Sequence, residues 1–351
     1  MQRSLEAASI ALGRLDGMGQ LLPNPKQFLY SYVRKEAVLS SQIEGTQSSL
    51  TDLLLHEHAA TPGVPFDDVN EVSSYVAAMN RGIELLARLP LSSRVLKDVH
   101  AVLLASGRGA ARAPGEFRRV QNWIGGKSPV DAVFVPPPPQ QVPDAMSDLE
   151  KFLHDEEVPV LVRAGLAHAQ FETIHPFLDG NGRIGRMLIV LMFLAEAVLA
   201  QPLLYLSLHF KRHRKVYYEL LQAVRTKGAW EPWLEFFAAG VAAVSDDAVR
   251  KMQELLSLFA RDRSRVSGAR SGGSTFQQAA LKWNLDVFDH LRMKVAVSIS
   301  DTAAACGSTK PTIARALDEL VRIGIAREAT GKQRNRVFVY DECLKILDRE
   351  S

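Results

Sequence analysis

Residues 187–200 read MLIVLMFLAEAVLA and hold one charged side chain, Glu196. The run is too short to span a bilayer, which takes about 20 apolar residues. A helix apolar all round has to be buried on every side, so the chain is expected to fold as a helical domain wrapped around this segment. The 47% hydrophobic content supplies such a core. Glycine and proline are not in the excess that marks disorder. A length of 351 residues fits two domains, or one large domain with an appendage.

The remaining segments mostly read as helices. NPKQFLYSYVRKEAVLSSQIEGTQ (24–47) stops near Gly45, and DVNEVSSYVAAMNRGIELLARL (68–89) begins with acids and stops before Pro90. SSRVLKDVHAVLLA (92–105), PDAMSDLEKFLHD (143–155), VRAGLAHAQFETI (162–174), KVYYELLQAVRTKG (215–228) and EPWLEFFAAGVAAV (231–244) continue the pattern. Between 106 and 143 the chain is rich in Gly and Pro around the β-prone run VDAVFV, which predicts a loop with a hairpin. RDRSRVSGARSGGS (261–274) reads as a linker or exposed turn. After it, SISDTAAACGSTKPTIARALDELVRIG predicts helix, tight turn, helix. IAREAT and RVFVY flank GKQRN as a hairpin, which together is the winged-helix layout. No internal repeat is visible.

Composition narrows the partners. The two cysteines, Cys306 and Cys343, are far apart and give no disulfide framework, which fits a reducing cytoplasm. The N-terminal stretch carries Arg3, Glu6, Arg14 and Asp16 and lacks the apolar core of a signal peptide, so no membrane partner is expected. Net charge is only +3, so a basic footprint has to be local.

The stretch that enters the apolar helix is HPFLDGNGRIGR (175–186). With the helix starting at Gly182 or Arg183, the turn Gly180–Gly182 lies at its N-terminus. Backbone N–H groups there lack intrahelical partners, and glycine lets a phosphate approach them. Arg183 and Arg186 share a helix face and can hold neighbouring phosphates. Asp179 can hold Mg²⁺ together with phosphate oxygens and water. His175 can take a proton from an incoming hydroxyl. Taken singly, His175-Pro176 and Asp179-Gly180 are ordinary turns. Their conjunction describes group transfer from a metal-bound nucleoside triphosphate to a protein hydroxyl.

This stretch resembles the Fic family motif, HPFx(D/E)GNGRxxR, at every fixed position. The neighbouring GEFRRVQNWIG, AHAQFETIHPF and YYELLQAVRTKGAWEPWLEFF resemble Fic proteins as well. The resemblance implies a mainly α fold: a helical core with a β-hairpin flap, here followed by a winged helix. It divides the chain into an N-terminal helical region (1–90), a catalytic core (91–240), a helical connector (241–290) and the winged helix-turn-helix (291–351). It implies transfer of AMP from ATP to a Ser, Thr or Tyr hydroxyl of a target protein, or of the chain itself, with Mg²⁺. His175 would be the base, Phe177 a buried anchor, and Asp179 the metal ligand. Gly180, Asn181 and Gly182 would form the anion hole. Arg183 would hold the α- and β-phosphates and Arg186 the γ-phosphate. Relatives that transfer a whole phosphate depart from the GNG triplet, and this chain keeps it. Val130, Asp131, Ala132, Val133, Phe134 and Val135 would form the flap, against whose edge an extended target pairs. Tyr217 and Tyr218 would line the adenine side, or else belong to the core.

SSQIEG (40–45) gains meaning beside that motif. Fic proteins often carry an inhibitory helix of pattern (S/T)xxxE(G/N), which Ser40, Glu44 and Gly45 match. Glu44 would pair with Arg186 and leave the phosphates misplaced for in-line attack. In some relatives the same glutamate aligns a water that removes AMP, so the reverse reaction stays open. Two further readings are a DNA-binding regulator with the core as nucleotide sensor, and a toxin held in check within its own chain. Residues 310–336 carry seven Lys/Arg against three Asp/Glu. Ile313, Leu317, Leu320 and Val321 are expected to form the buried face of the second helix. Lys310, Thr312 and Arg315 would then face base edges, and Lys332, Arg334 and Arg336 phosphates. One module gives a small footprint on double-stranded DNA, so a homodimer is expected if DNA is bound.

Overall fold

The computed structural model describes residues 1–22, 25–57, 66–268, 275–332 and 334–349. In chain order the helices are α1 (Gln2–Gln20), α2 (Pro25–Ile43), α3 (Leu50–His56), α4 (Phe66–Leu86), α5 (Ser93–Leu103), α6 (Val142–Leu153), α7 (Val160–Ile174) and α8 (Asn181–Ala195). They continue with α9 (Ser207–Arg212), α10 (Arg214–Lys227), α11 (Trp230–Gly268) and α12 (Thr275–Lys294). The rest is β1 (Ala296–Ser298), α13 (Ile299–Cys306), α14 (Lys310–Arg322), β2 (Arg327–Glu328), β3 (Val337–Val339) and α15 (Asp341–Asp348).

α8 is the apolar run, and it sits where its composition requires. Every residue from Arg183 to Phe193 is buried. α7, α4, α5 and α2 pack around it. The approach of α4 depends on Gly82, where a Cβ would come within 2.8 Å of Leu191. The helix ends at Ala195, before the apolar run does, and begins at Asn181 with Gly180 as its left-handed N-cap (φ 73°). α1 lies along α11, with the N-terminal amine on Glu235 at 2.5 Å. No helix among the described residues is long and apolar enough to cross a membrane.

Two segments differ from expectation. VDAVFV makes no strand; the loop closes with one antiparallel bridge, Ile124 to Phe134, with the Ile124 amide donating to Phe134 at 2.9 Å. Asp131 folds back to accept the amides of Lys127 and Ser128, at 2.8 and 2.6 Å, which takes the tip out of ladder pairing. The 261–274 segment is no linker up to residue 268, because α11 runs through it. Its arginines are fixed by ion pairs: Arg261 with Glu342, Arg263 with Asp289, and Arg265 with Asp262. Residues 269–274 lie outside the described residues.

At the C-terminal end, α13 and α14 form the helix–turn–helix, and the strands make an antiparallel sheet of order β1-β3-β2. β3 is central, with Val337, Phe338 and Val339 all buried. Ser298 caps α13 through the Asp301 amide at 3.1 Å, and Gly307 ends it in the left-handed region. Ile313, Leu317 and Leu320 are buried as expected, but Val321 is 37% exposed. It falls one residue beyond the buried stripe, whose remaining place Ala316 takes.

Candidate active site

The loop between α7 and α8 is held by its own backbone and by two side chains from the preceding loop. His175 ends α7 in the left-handed region (φ 50°, ψ 59°), a conformation that costs free energy unless its surroundings fix it. They do. Its amide donates to Phe171 at 2.8 Å, and its carbonyl accepts from Arg118 Nε at 3.0 Å and Asn122 Nδ2 at 3.3 Å. Phe177 is fully buried and stacks on His100 at 3.8 Å between centroids. Asn181 closes the loop by accepting from the Phe177 amide and donating to its carbonyl, both at 2.8 Å. The Gly115 amide donates to His100 Nδ1, so His100 Nε2 carries the proton that it gives to the Asp179 carbonyl at 3.0 Å.

A pocket of about 350 Å³ opens over the N-terminus of α8. Its lining brings together His175, Asp179, Gly180, Asn181, Gly182 and Arg183 with Glu44 and Gly45 from the end of α2. The first amides of a helix have no intrahelical acceptor, so this floor favours an anion. Arg186 lies behind it, 2% exposed, with Nε donating to Ser40 Oγ at 2.8 Å and Nη2 to Glu44 Oε1 at 2.6 Å. Burial pulls the Glu44 carboxyl up, but Arg186 outweighs it and holds the group below its usual range. Burial pushes the His175 imidazole down to about 4, so the ring is neutral at physiological pH. Asp179 remains partly exposed beside the pocket, its Oδ1 accepting from the Gly180 amide at 2.6 Å. A half-solvated carboxylate facing an anion-binding floor suits a magnesium ion that keeps phosphate and water ligands. Among the described residues no cluster of three or more His, Cys, Asp or Glu could hold a metal without such help.

Two family models match this chain. The Fic/DOC family N-terminal model matches residues 2–84, and the Fic/DOC family model matches 90–193, together more than half of the sequence. The chain belongs to the Fic/DOC family. A protein adenylyltransferase Fic of Culex quinquefasciatus is 33% identical over 68% of this chain and 48% of its own length. One from Aedes aegypti is 32% identical over 56% of this chain and 38% of its own. The chain thus spans less than half the length of these relatives. A Fic family protein from Desulfovibrio desulfuricans G20 shares the fold over 96% of this chain and 95% of its own, at 19% identity and TM-score 0.58. A Fic domain containing signaling protein from Bacteroides thetaiotaomicron VPI-5482 covers 71% and 97%, at 17% identity and TM-score 0.57.

Other expected site residues fall elsewhere in the chain. Tyr217 is buried, donates its hydroxyl to His168 Nε2 at 2.9 Å, because His168 Nδ1 donates to the Gly185 carbonyl, and stacks on Phe210, so it is core. Tyr218 is 37% exposed beside it, with the Arg214 guanidinium 5.4 Å from its ring. The flap residues Val130 and Val133 are exposed. Gln222 holds the Val133 carbonyl at 3.2 Å, and Arg225 lies over the Phe134 ring. Lys310, Arg334 and Arg336 line a separate groove with Glu57. Arg315 is exposed, and Arg336 pairs with Asp318 at 2.8 Å. Sequence reasoning missed Glu71, which grips Arg183 Nη1 at 2.5 Å from α4. It also missed Glu36, which accepts the Ser207 hydroxyl inside the core. Neither sits in a motif; the only signal is an acid on a helix otherwise patterned for burial.

Proposed function

We propose that the protein is an autoinhibited adenylyltransferase that moves AMP from ATP to Ser, Thr or Tyr hydroxyls of target proteins and of itself. The observation that carries the reading is the bonding of Arg186 to both Ser40 and Glu44 above the helix N-terminus. On this reading the α8 amides and Arg183 cradle the α- and β-phosphates, and Arg186 is the γ-phosphate ligand that Glu44 pre-empts. Neutral His175 takes the proton of the incoming hydroxyl. That oxygen forms a bond to the α-phosphorus as the bond to the β-phosphate oxygen breaks, and diphosphate leaves. Mg²⁺ beside Asp179 would neutralise charge on the phosphates. The relatives' name, protein adenylyltransferase, supports the reaction class. The two free cysteines fit a cytoplasmic setting. The test is incorporation of labelled AMP from ATP into lysate proteins and into the chain itself, comparing wild type with Glu44→Gly. No label from either protein would overturn the proposal. Loss of AMP from a pre-modified target with wild type, but not with Glu44→Gly, would favour the reverse reaction.

A second reading concerns the C-terminal unit. The groove lined by Lys310, Arg334 and Arg336 between α14 and the β2–β3 loop supports a winged helix that meets a duplex, with a homodimer doubling the footprint.

A further inference from the structure

We propose that Glu172 is the positioning residue that selects the tautomer of His175. The inference rests on the adenylyl-transfer reading above, because it concerns how the base of that reaction is made competent.

Glu172 lies on the last turn of α7, one turn before His175. Its Oε2 is 3.8 Å from His175 Nδ1, with side-chain exposures of 7% and 19%. Both His175 Nδ1 and Glu172 Oε1 are buried without a hydrogen-bond partner among the described residues. The carboxyl oxygen nearest Nδ1 is Oε2, just beyond bonding reach, and Oε1 is turned toward Gly185, so a rotation of the carboxyl or the imidazole that closes the gap would give these unmatched buried atoms a partner. The backbone at His175 is fixed at both its amide and its carbonyl, so a small change in side-chain torsion is the route to closure. The space that Glu172 occupies is made by Gly185 on α8, where a Cβ would collide with Oε1. Position 185 is variable in the motif pattern. Its glycine is accounted for by the carboxyl rather than by phosphate binding.

Chemistry gives the pair a direction. An ionised Glu172 accepts the Nδ1 proton and leaves the Nε2 lone pair for the substrate hydroxyl. A protonated Glu172 donates to Nδ1 and places the imidazole proton on Nε2, where it blocks base action. The groups that face the pair are Arg186 from α8, Glu44 at the end of α2, Arg225, Tyr217 and Tyr218 from α10, Arg118 from the flap loop, and the backbone carbonyl of Glu172 itself. Arg225 donates to the Glu172 carbonyl at 2.8 Å. Burial raises the carboxyl to about 7 against the pull of Arg186, so the switch between the two tautomers falls near neutrality. Transfer therefore rises with pH through about 7.

The experiment uses full-length Glu44→Gly protein as parent, because transfer by that parent tests the parent reading separately. Adding Glu172→Gln should lower kcat at pH 8 by about tenfold or more, up to the roughly 10²–10⁴ that the base supplies, with KM for ATP unchanged. The rise with pH, which in this parent falls lower because Glu44 no longer raises the carboxyl, should vanish, and Glu172→Asp should restore part of it. Imidazole ¹⁵N shifts of unmutated protein at pH 8 should report the Nδ1–H tautomer, a readout independent of activity and of any variant. An Nε2–H tautomer, or a Glu172→Gln variant with the parent's kcat and pH profile, would overturn the proposal. An inactive Glu44→Gly parent would instead overturn the adenylyl-transfer reading.

Discussion

Glu44 Oε1 lies over Gly182 so closely that a Cβ on that glycine would collide with it, while the same Cβ would stand 3.0 Å from Arg186 Nη1. The carboxylate thus occupies the space above the first turn of α8 that an anion would take. On the proposed reading, Glu44→Gly raises initial AMP-transfer rates by about 5- to 150-fold, the range of a 1–3 kcal/mol coupling. Gly182→Ala should cost about 10² in rate, and the double variant should stay low, because the phosphate needs the volume the methyl fills. Initial rates of the four proteins at matched ATP check this. A double variant as fast as Glu44→Gly would show that carboxylate and phosphate do not share the space.

His175→Ala in the Glu44→Gly background should lower transfer by about 10²–10⁴-fold, with nucleotide affinity nearly unchanged. Labelled-AMP incorporation and ATP titration by calorimetry, measured on the same preparation, check it. Full activity would remove His175 as the base.

Acid should destabilise the fold before ordinary carboxylates titrate. Burial holds His100, His175 and His209 at about 4 and His168 at about 3. Unfolded histidine takes its proton near 6.5, so below that pH the unfolded chain binds more protons and stability falls toward pH 4. Glu36 and Glu172 act in the opposite sense. Raised to about 7 by burial, they bind protons in the fold between 7 and 4.5, where the unfolded chain does not. Four histidines outnumber two carboxyls, so Tm should drop between pH 6.5 and 5. Glu36→Gln should steepen the drop. Calorimetric scans across that window decide it, and a Tm that rises on acidification contradicts it.

For the C-terminal unit, replacing Arg334 of the groove and Lys332 of the β2–β3 loop by alanine in the full chain should flatten the slope of log affinity against log salt by about 0.9 for each phosphate no longer neutralised. Arg336→Ala should change it less, because that guanidinium already sits on Asp318 and over the Phe338 ring at 4.7 Å. Fluorescence anisotropy with a labelled duplex between 50 and 200 mM salt, about the range in which phosphate neutralisation matters, gives the slopes. No binding at the low end would assign the groove to a protein partner.

The helices around α8 were legible because burial leaves a periodic pattern, and the 175–186 loop because its chemistry is concentrated within a few residues. The flap pairs less than its composition suggests. VDAVFV has strand-like side chains, but Asp131 satisfies two backbone amides locally and takes the place of a ladder. The 261–268 segment was underread for the converse reason. Its composition resembles a linker, and the acids that hold its arginines, Glu342 and Asp289, come from distant sequence. Glu71 shares that blindness, since its partner Arg183 lies on another helix. Glu172 stands only three residues before His175, but an acid on the last turn of a helix reads as an ordinary surface charge. Tyr217 shows the opposite limit, since an aromatic beside a site motif reads the same whether it meets nucleotide or core.

α2 carries Ser40 near its end, yet Phe28, Tyr32, Ala37, Val38, Leu39 and Ile43 along it are all buried. The Tyr32 hydroxyl reaches the Ala248 carbonyl of α11, and Lys35 donates to the Leu347 carbonyl at the end of α15. Withdrawing the helix would expose several large side chains at about 1.5–3 kcal/mol each, a sum comparable to the ~5–15 kcal/mol that holds a whole domain folded. Glu44, by contrast, stands just past the last helical residue, next to Gly45 at φ 105°. Its exposed side chain can turn without moving the helix, and such turns take about picoseconds to nanoseconds. On the proposed reading, the resting enzyme is therefore leaky rather than locked. Its output follows the fraction of time one side chain spends turned away, so regulation amounts to reweighting rotamers and needs no gate to open.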